Sequence, residues 1–513
     1  MNAAFDIGIV GSGFAGSLLA MIAKKMGLSV VLLEKGRHRR FAIGESSTPL
    51  ANLLLEDIAR RYDLPRLAPL SKWGSWQRTY PEIAAGLKRG FSFYRHEFGK
   101  PYSPGADRRN QLLVAASPND RIGDTHWYRA DVDHFLYQEA LRIGVTCLDE
   151  IQLDPPRFNS AAVELCGTRK GESVSLQVRY CFDATGPAGY LSTALGLPMS
   201  PFRRMPPTQA LYTHFKGVSR LEHEAAGVTQ TPPYPIEDAA VHHLFDGGWI
   251  WVLHLNNGRT SAGAVLVDAL AKELRVSEGA DAWNRLLLRL PTLAGPFANA
   301  CPVEPFRHAP RLSFRYAQVV GDRWALLPSA AGFVDPLLST GFPLALLGIR
   351  RVAEALQTGL ETFDFRSRME DYGRQTLSEL DTVERLVASL YASFKNGHRF
   401  ARLSLLYFAA VSHAETRLRL HPDTYPGDFL MQDHPLFGPA SRACFDAAMD
   451  PSARDSEFLA QIADALAHID ICGWGDLRKR NWHSVTTGDL VASARLLGAS
   501  QEGAQEMVSR MEI

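Results

Sequence analysis

The sequence predicts an α/β fold with a Rossmann-type dinucleotide-binding domain, a second, antiparallel sheet and a helical C-terminal region. Three observations predict it. Between Phe5 and Glu34 an apolar run, a glycine turn, an apolar helical pattern and a second apolar run follow one another. From about residue 200 to 300 the pattern changes to strand-like alternation. From 365 to 513 it is mostly helical. The expected divisions are 1–200 and 301–360 for the two parts of the nucleotide-binding domain, 201–300 for the sheet and 361–513 for the helical region.

Composition narrows the class. A chain of 513 residues, 46% hydrophobic and 21% charged, can bury a large core in two or three packed units. Lys and Arg total 55, as do Asp and Glu, so charge gives no support for a nucleic-acid or anionic-membrane partner. No apolar run reaches the roughly 18 residues of a transmembrane helix. The six cysteines are scattered and form no C-x-x-C, and the chain begins directly with a strand; the expectation is reduced thiols, no signal peptide and a cytoplasmic protein.

The first element is the most informative. Ile7 to Val10 reads as a strand, and Val30 to Leu33 as its parallel neighbour ending on Glu34. Between them Gly11 permits a tight turn, Gly13 lets backbone approach a pyrophosphate, and Gly16 lets helix and strand pack closely. Phe14 and Ala15 open the helix, whose N–H groups and dipole favour phosphate. Glu34 can accept hydrogen bonds from ribose hydroxyls. The basic cluster Arg37, His38, Arg39 and Arg40 reads either as solvated loop charge or as a contact to the phosphate or adenosine end of a cofactor. In Gly44-Glu45-Ser46-Ser47-Thr48-Pro49, Ser47 or Thr48 caps a helix through Leu53, Leu54, Leu55 and Ile58, with Pro49 in its first turn.

Further along, Phe91 and Phe93 suggest a strand with Lys88 at its start, where composition alone reads a surface lysine. Arg129 to Leu136 opens a helix that ends at Gly144. Alternation from Ser173 leads into Asp183-Ala184-Thr185-Gly186. Strands are expected at 210–215, 240–245, 249–255 and 260–267, with Asn256-Asn257-Gly258 as a hairpin turn. They would form an antiparallel sheet that roofs a substrate cavity. Trp324 to Leu327 is a strand, and Gly341 to Ala355 a helix. Tyr391, Phe394, Tyr407 and Phe408 belong to the core, some of them reaching a substrate cavity. No metal-spaced His/Cys cluster is visible.

The order of G-x-G-x-x-G, terminal acid and Gly44 to Pro49 resembles the flavin-dependent halogenases, FAD enzymes related in fold to single-component aromatic hydroxylases. Gly332 to Gly341, GFVDPLLSTG, is similar to the family's second flavin-contact motif. Trp249 and Trp251 match the tryptophans of its W-x-W-x-I-P signature, while Leu253 and His254 replace the Ile and Pro. The resemblance covers roughly residues 1 to 355. It implies an FAD site made by Gly11, Gly13, Phe14, Ala15, Gly16, Glu34, Lys35 and Arg40, by Glu45, Ser46, Ser47 and Thr48, by Arg129, by Thr185 and Gly186, and by Ser329, Asp335, Pro336, Gly341 and Phe342. It places halide at Thr340 and Gly341, and implies Lys88 as the catalytic lysine, with Lys72 the competing candidate.

The implied chemistry uses reduced FAD from a separate flavin reductase, oxygen, and chloride or bromide. Hypohalous acid formed beside the flavin travels to Lys88 and there meets an electron-rich ring in a closed cavity. In tryptophan halogenases a glutamate lies two residues before the threonine of the S-T-G segment; here Leu338 stands in that place. With the likeness of Lys88 to Phe93 to the phenol-acting subgroup, this implies a small free phenol, such as a resorcinol-type ring, as substrate. The expected partners are the reductase and the aromatic substrate, without nucleic acid or membrane; a homodimer stays open. The alternatives are an FAD monooxygenase of the same fold, a halogenase acting on a carrier-tethered pyrrole or phenol, and a non-enzymatic flavin-binding protein.

Overall fold

A computed structural model describes residues 2–221, 231–424, 426–450 and 452–512. The chain opens with strand β1 (Asn2–Val10), helix α1 (Phe14–Lys25) and strand β2 (Val30–Leu33). Helix α2 (Pro49–Arg61) begins where the Thr48 hydroxyl accepts from the Ala51 N–H and proline fills the first turn. Strands β3 (Ala85–Lys88), β4 (Gly90–Arg95), β5 (Gln111–Ala115) and β6 (Asp124–Trp127) follow, then helix α3 (Arg129–Arg142) and strand β7 (Thr146–Leu148). Strands β8 (Val163–Arg169) and β9 (Glu172–Asp183) form a hairpin. Next come β10 (Thr208–Lys216), β11 (Ala240–Phe245), β12 (Gly248–His254), β13 (Thr260–Val267), helix α4 (Ala280–Leu288) and strand β14 (Trp324–Leu326). Helices α5 (Gly341–Leu356), α6 (Phe363–Ala392), α7 (Gly397–Leu420) and α8 (Asp455–Ala467), strand β15 (Trp482–His483) and helix α9 (Gln501–Glu512) complete the chain.

The first sheet has the order β14-β9-β1-β2-β7, parallel throughout this path, with β8 antiparallel on β9. The carboxyl ends of β1, β2 and β9 therefore meet at Gly11, Glu34 and Ala184, as expected of a dinucleotide site. Helix α1 lies against this sheet, and α5 packs on α1 and α2. From Phe342 to Leu356 every residue of α5 except Glu354 is buried, so α5 is a central helix, yet its first residue, Gly341, is exposed.

The second sheet runs β10-β13-β12-β11-β4-β5-β15. The four strands expected between 208 and 267 are present and antiparallel to one another. The sheet does not stop there: β11 pairs in parallel with β4, and β15 in parallel with β5. The result is a mixed sheet, and the C-terminal region supplies one of its edge strands. One face packs on helices after β13, with Trp283 and Leu286 of α4 against Phe215, Ile250 and Ala264. Lys88 does not begin the strand of Phe91 and Phe93. It ends β3, and Arg89 breaks the chain before β4. Among the described residues β3 pairs with β6 alone, antiparallel, placing Lys88 opposite Asp124.

Candidate active site

At the carboxyl ends of the first sheet the glycines do what their spacing requires. A Cβ on Gly16 would sit 1.9 Å from the Gly11 carbonyl oxygen, and one on Gly11, at φ +102°, would sit 2.7 Å from the Ala184 carbonyl carbon. Gly13 differs: its nearest neighbours are the side chains of Asp133, Arg40 and Arg129, at 3.5 to 3.8 Å. It is the N-cap of α1, and no side chain caps that helix. Glu34 accepts from the Ser12 N–H at 3.0 Å, the Ser12 hydroxyl at 2.8 Å and the Gly36 N–H at 2.9 Å, and pairs with Arg40 at 3.2 Å. Burial pushes the Glu34 carboxyl up, but Arg40 and these N–H donors outweigh it and hold it below the usual range. Arg129 forks onto Asp133 and donates to the carbonyls of Ile43 and Gly44, tying the turn at Gly44 to α3. Lys35 is exposed.

The segment after Gly44 is drawn against β6. Trp127 N–H donates to the Glu45 carbonyl, and Ser47 N–H and hydroxyl both donate to the Thr125 carbonyl. The Glu45 carboxylate turns away from this cleft and hydrogen-bonds His214 at 2.9 Å. Ser46 and Ser47 face Lys88 instead. The Lys88 ammonium donates to the Ser46 hydroxyl at 2.9 Å and the Ser47 carbonyl at 2.5 Å, and sits 3.8 Å from the centre of the Phe91 ring. Lys88 is 0% exposed. Composition reads a lysine here as a surface residue; the short β3·β6 ribbon carries it inward. Burial pushes its ammonium well below the ordinary lysine range, and the charge of Asp124 offsets part of that. Asp124 moves the opposite way for the same reason.

A cavity borders Asp124 of this pair; Lys88 is not in its wall and stands against Phe91, which is. Phe91 and Asp124 form its inner wall, with Thr48, the cap of α2, Asn52 within that helix, and Ser117 after β5. Tyr407 and Phe408 of α7, Trp474 between α8 and β15, and Val508 of α9 close it from outside. The strands between 208 and 267 contribute nothing to this wall; the second sheet reaches it through Phe91 of β4 and Ala115 of β5, and the C-terminal helices cover it. In that part of the sheet His242 stacks at 4.6 Å on Phe93 and packs against Trp249. Lys72 also lines the cavity, held by Glu56 at 3.1 Å.

The loop before α5 joins both regions. Tyr407 donates to the Leu338 carbonyl at 2.8 Å, and Ser339 takes φ +56°. The Trp249 indole N–H donates to Tyr391 at 3.1 Å, and Tyr391 donates to Asp335 at 2.8 Å, so the Asp335 carboxylate points into the protein. Thr340 is the N-cap of α5, again without a side-chain cap, and a Cβ on Gly341 would meet nothing within 4 Å. Gly186, at φ +61°, would meet only the Ser329 carbonyl, at 3.9 Å. Thr185 spends its hydroxyl on Asp183. Phe14, Trp127 and Phe342 pack together at 4.7 to 5.3 Å, linking the glycine turn, β6 and α5. Two clusters result: the glycine turn with Glu34, Arg40 and Arg129, and Lys88 with Ser46, Ser47 and Asp124. Asp124, Asn52 and His214 carry no signal in the sequence, because their roles depend on register and on distant partners.

The family model for tryptophan halogenases matches residues 125–401. The chain belongs to the tryptophan halogenase family. Its relatives include the monodechloroaminopyrrolnitrin halogenase PrnC of Pseudomonas fluorescens, 30% identical over 447 residues, covering 85% of this chain and 77% of PrnC. The tetracycline 7-halogenase of Kitasatospora aureofaciens is 28% identical over 403 residues, covering 76% of this chain and 70% of its own. Among solved structures, halogenase PltM in complex with phloroglucinol and FAD superposes with a TM-score of 0.81 at 25% identity, covering 93% of this chain and 99% of that one. The protein is thus a flavin-dependent halogenase, an oxidoreductase that uses FAD and halide, with a separate flavin reductase and an aromatic substrate. The site suits such a cofactor. Two helix N-termini lack side-chain caps, and Gly13, Gly186 and Gly341 leave space where side chains would stand. Among the described residues no helix is long and apolar enough to cross a membrane, and no His, Cys, Asp and Glu group is placed to hold a metal.

Proposed function

We propose that this halogenase acts on a small, free, electron-rich phenol held in the cavity beside Lys88. The observation that carries the reading is the wall of that cavity. Phe91, Tyr407, Phe408 and Trp474 line it with aromatic rings, Asp124 supplies an acceptor, and the C-terminal helices enclose them. The buried Leu338 can neither accept a proton nor orient an indole. A phenol needs less help, because its own oxygen donates electron density to the ring. The likeness to PltM, crystallised with phloroglucinol, supports the same substrate class.

In this reading the N-terminus of α1, with Gly11, Gly13 and Gly16, holds the pyrophosphate of FAD, and Glu34 and Arg40 lie at its adenosine end. Arg129, Gly186, Ser329 and Phe342 border the rest of the cofactor, and the α5 N-terminus at Thr340 and Gly341 holds halide. Reduced FAD with oxygen supplies the oxidising equivalent that turns halide into hypohalous acid. Lys88 receives that acid: as an ammonium it donates a hydrogen bond, and as an amine it accepts the halogen, a form its burial favours. The covering helices keep water and stray nucleophiles away from the electrophile.

The test is side-by-side turnover of free phenols, tryptophan and carrier-bound pyrroles or phenols, with a flavin reductase and chloride or bromide. Mass spectrometry should find halogenated free phenol as the dominant product. Preference for tryptophan or for a carrier-bound ring would overturn the reading.

A further inference from the structure

Of the charged side chains that line the cavity, Lys72, Glu415 and Arg419 are ion-paired, and Asp124 has no ion pair among the described residues. Arg419 pairs with Glu415 at 2.6 Å and with Glu56 at 3.6 Å, and Glu56 also holds Lys72. Lys88 directs its ammonium to Ser46 and Ser47. Asp124 stands opposite Lys88 in the β3·β6 register and is only 3% exposed. Its Oδ1 accepts from the Asn52 side-chain amide at 2.7 Å. Its Oδ2 is buried without a hydrogen-bond partner, although the residue lines the cavity. Asp124 borders the cavity, and a buried carboxylate oxygen without a donor is costly unless a bound group supplies one.

We propose that Asp124 is a second catalytic residue, whose Oδ2 accepts the hydroxyl proton of the phenol while Asn52 holds the carboxylate in place. The inference rests on the free-phenol reading above. In the balanced step, Oδ2 takes the O–H proton and the electron pair released raises the charge on the ring. A ring carbon attacks the halogen of hypohalous acid and the halogen–oxygen bond breaks. The departing hydroxide takes a proton from the Lys88 ammonium and leaves as water. The ring then loses its C–H proton, in exchange for the one Lys88 gave, and Asp124 returns its proton to the phenolate oxygen. The net change is phenol plus hypohalous acid to halophenol plus water. Thus Asp124 does for a phenol what the residue at Leu338 cannot do. Burial, which makes Asp124 more basic than an ordinary carboxylate, suits it to this task.

The experiment is a comparison of phenols graded by acidity, from ordinary phenols to fluorinated or nitrated ones that ionise unaided near neutral pH. Asp124→Asn keeps the shape and the Asn52 contact. It should lower kcat/KM about a hundredfold or more on the weakly acidic phenols. The loss should shrink steadily to less than about tenfold on phenols that are already ionised. Asn52→Ala should show the same trend with smaller losses, and it supplies the comparison if the Asp124 variant does not fold. A loss independent of phenol acidity, or no loss, would overturn the assignment while leaving the phenol reading intact. A wild-type enzyme that halogenates no free phenol would overturn both.

Discussion

Lys88 is fully buried, donates to two groups of the Gly44 to Pro49 segment and stacks over an aromatic ring, whereas Lys72 is partly exposed and tied to Glu56. Lys88→Met should therefore lower halogenation by at least about a thousandfold, a loss of roughly 4 kcal/mol in transition-state stabilisation, while FAD still binds and reoxidises. Lys72→Ala should retain most activity; the reverse order would show that the wrong lysine has been chosen. Asp335 offers a second test at this scale, read through stability. Burial pushes its carboxyl up to about 7 from the ordinary 3.8, despite the bonds from Tyr391 and the Leu337 N–H. A raised carboxyl means that the folded chain holds a proton that the unfolded chain releases. Its contribution is full below about pH 4 and is lost as pH rises to 7. Asp335→Asn cannot ionise. Relative to wild type it should gain roughly 3 kcal/mol between pH 4.5 and 8. Denaturant midpoints across that range would show it, and parallel profiles would refute it.

Elements were legible where local chemistry decides them. The glycine turn, the Thr48 cap, the Asn256-Asn257-Gly258 hairpin and the helix from Gly341 are set by φ angles, caps and periodicity within a few residues. Registers were not. No local pattern shows that β3 leaves the main sheet to pair with β6, and that pairing brings Lys88 to Asp124. The glycine turn allows an element-scale prediction that separates folding from binding. Gly16→Ala drives a methyl into the Gly11 carbonyl and should cost about 3 kcal/mol in the ligand-free protein. Gly13→Ala meets only flexible side chains at 3.5 Å or beyond, so melting temperature should hold within a few degrees. Its methyl points where a pyrophosphate would approach, and FAD affinity should fall at least about tenfold, or 1.4 kcal/mol. Equal effects of both substitutions on melting temperature would remove the distinction.

Over the whole molecule, the helical C-terminal region supplies one wall of the cavity. Its aromatics at 407 and 408 read as core, and they are buried; but they also face the cavity, which no periodicity separates from core. Strand β15, only two residues long, is too short to leave a pattern, yet it extends the second sheet. Helix α9 sits over the same cavity through Val508 and packs on α7. If the helices confine the electrophile, removing α9 should loosen that confinement before it harms chemistry at Lys88. A chain ending at residue 500 should still form hypohalous acid at a rate within about threefold of the full chain, roughly 0.7 kcal/mol in barrier. Its product should shift from the intended phenol toward a small scavenger in solution, such as added taurine. The measurement is the ratio of halogenated phenol to haloamine at equal oxygen consumption. An unchanged ratio would mean that α9 plays no part in confinement, and that the inner wall of Phe91, Tyr407 and Phe408 confines the electrophile alone.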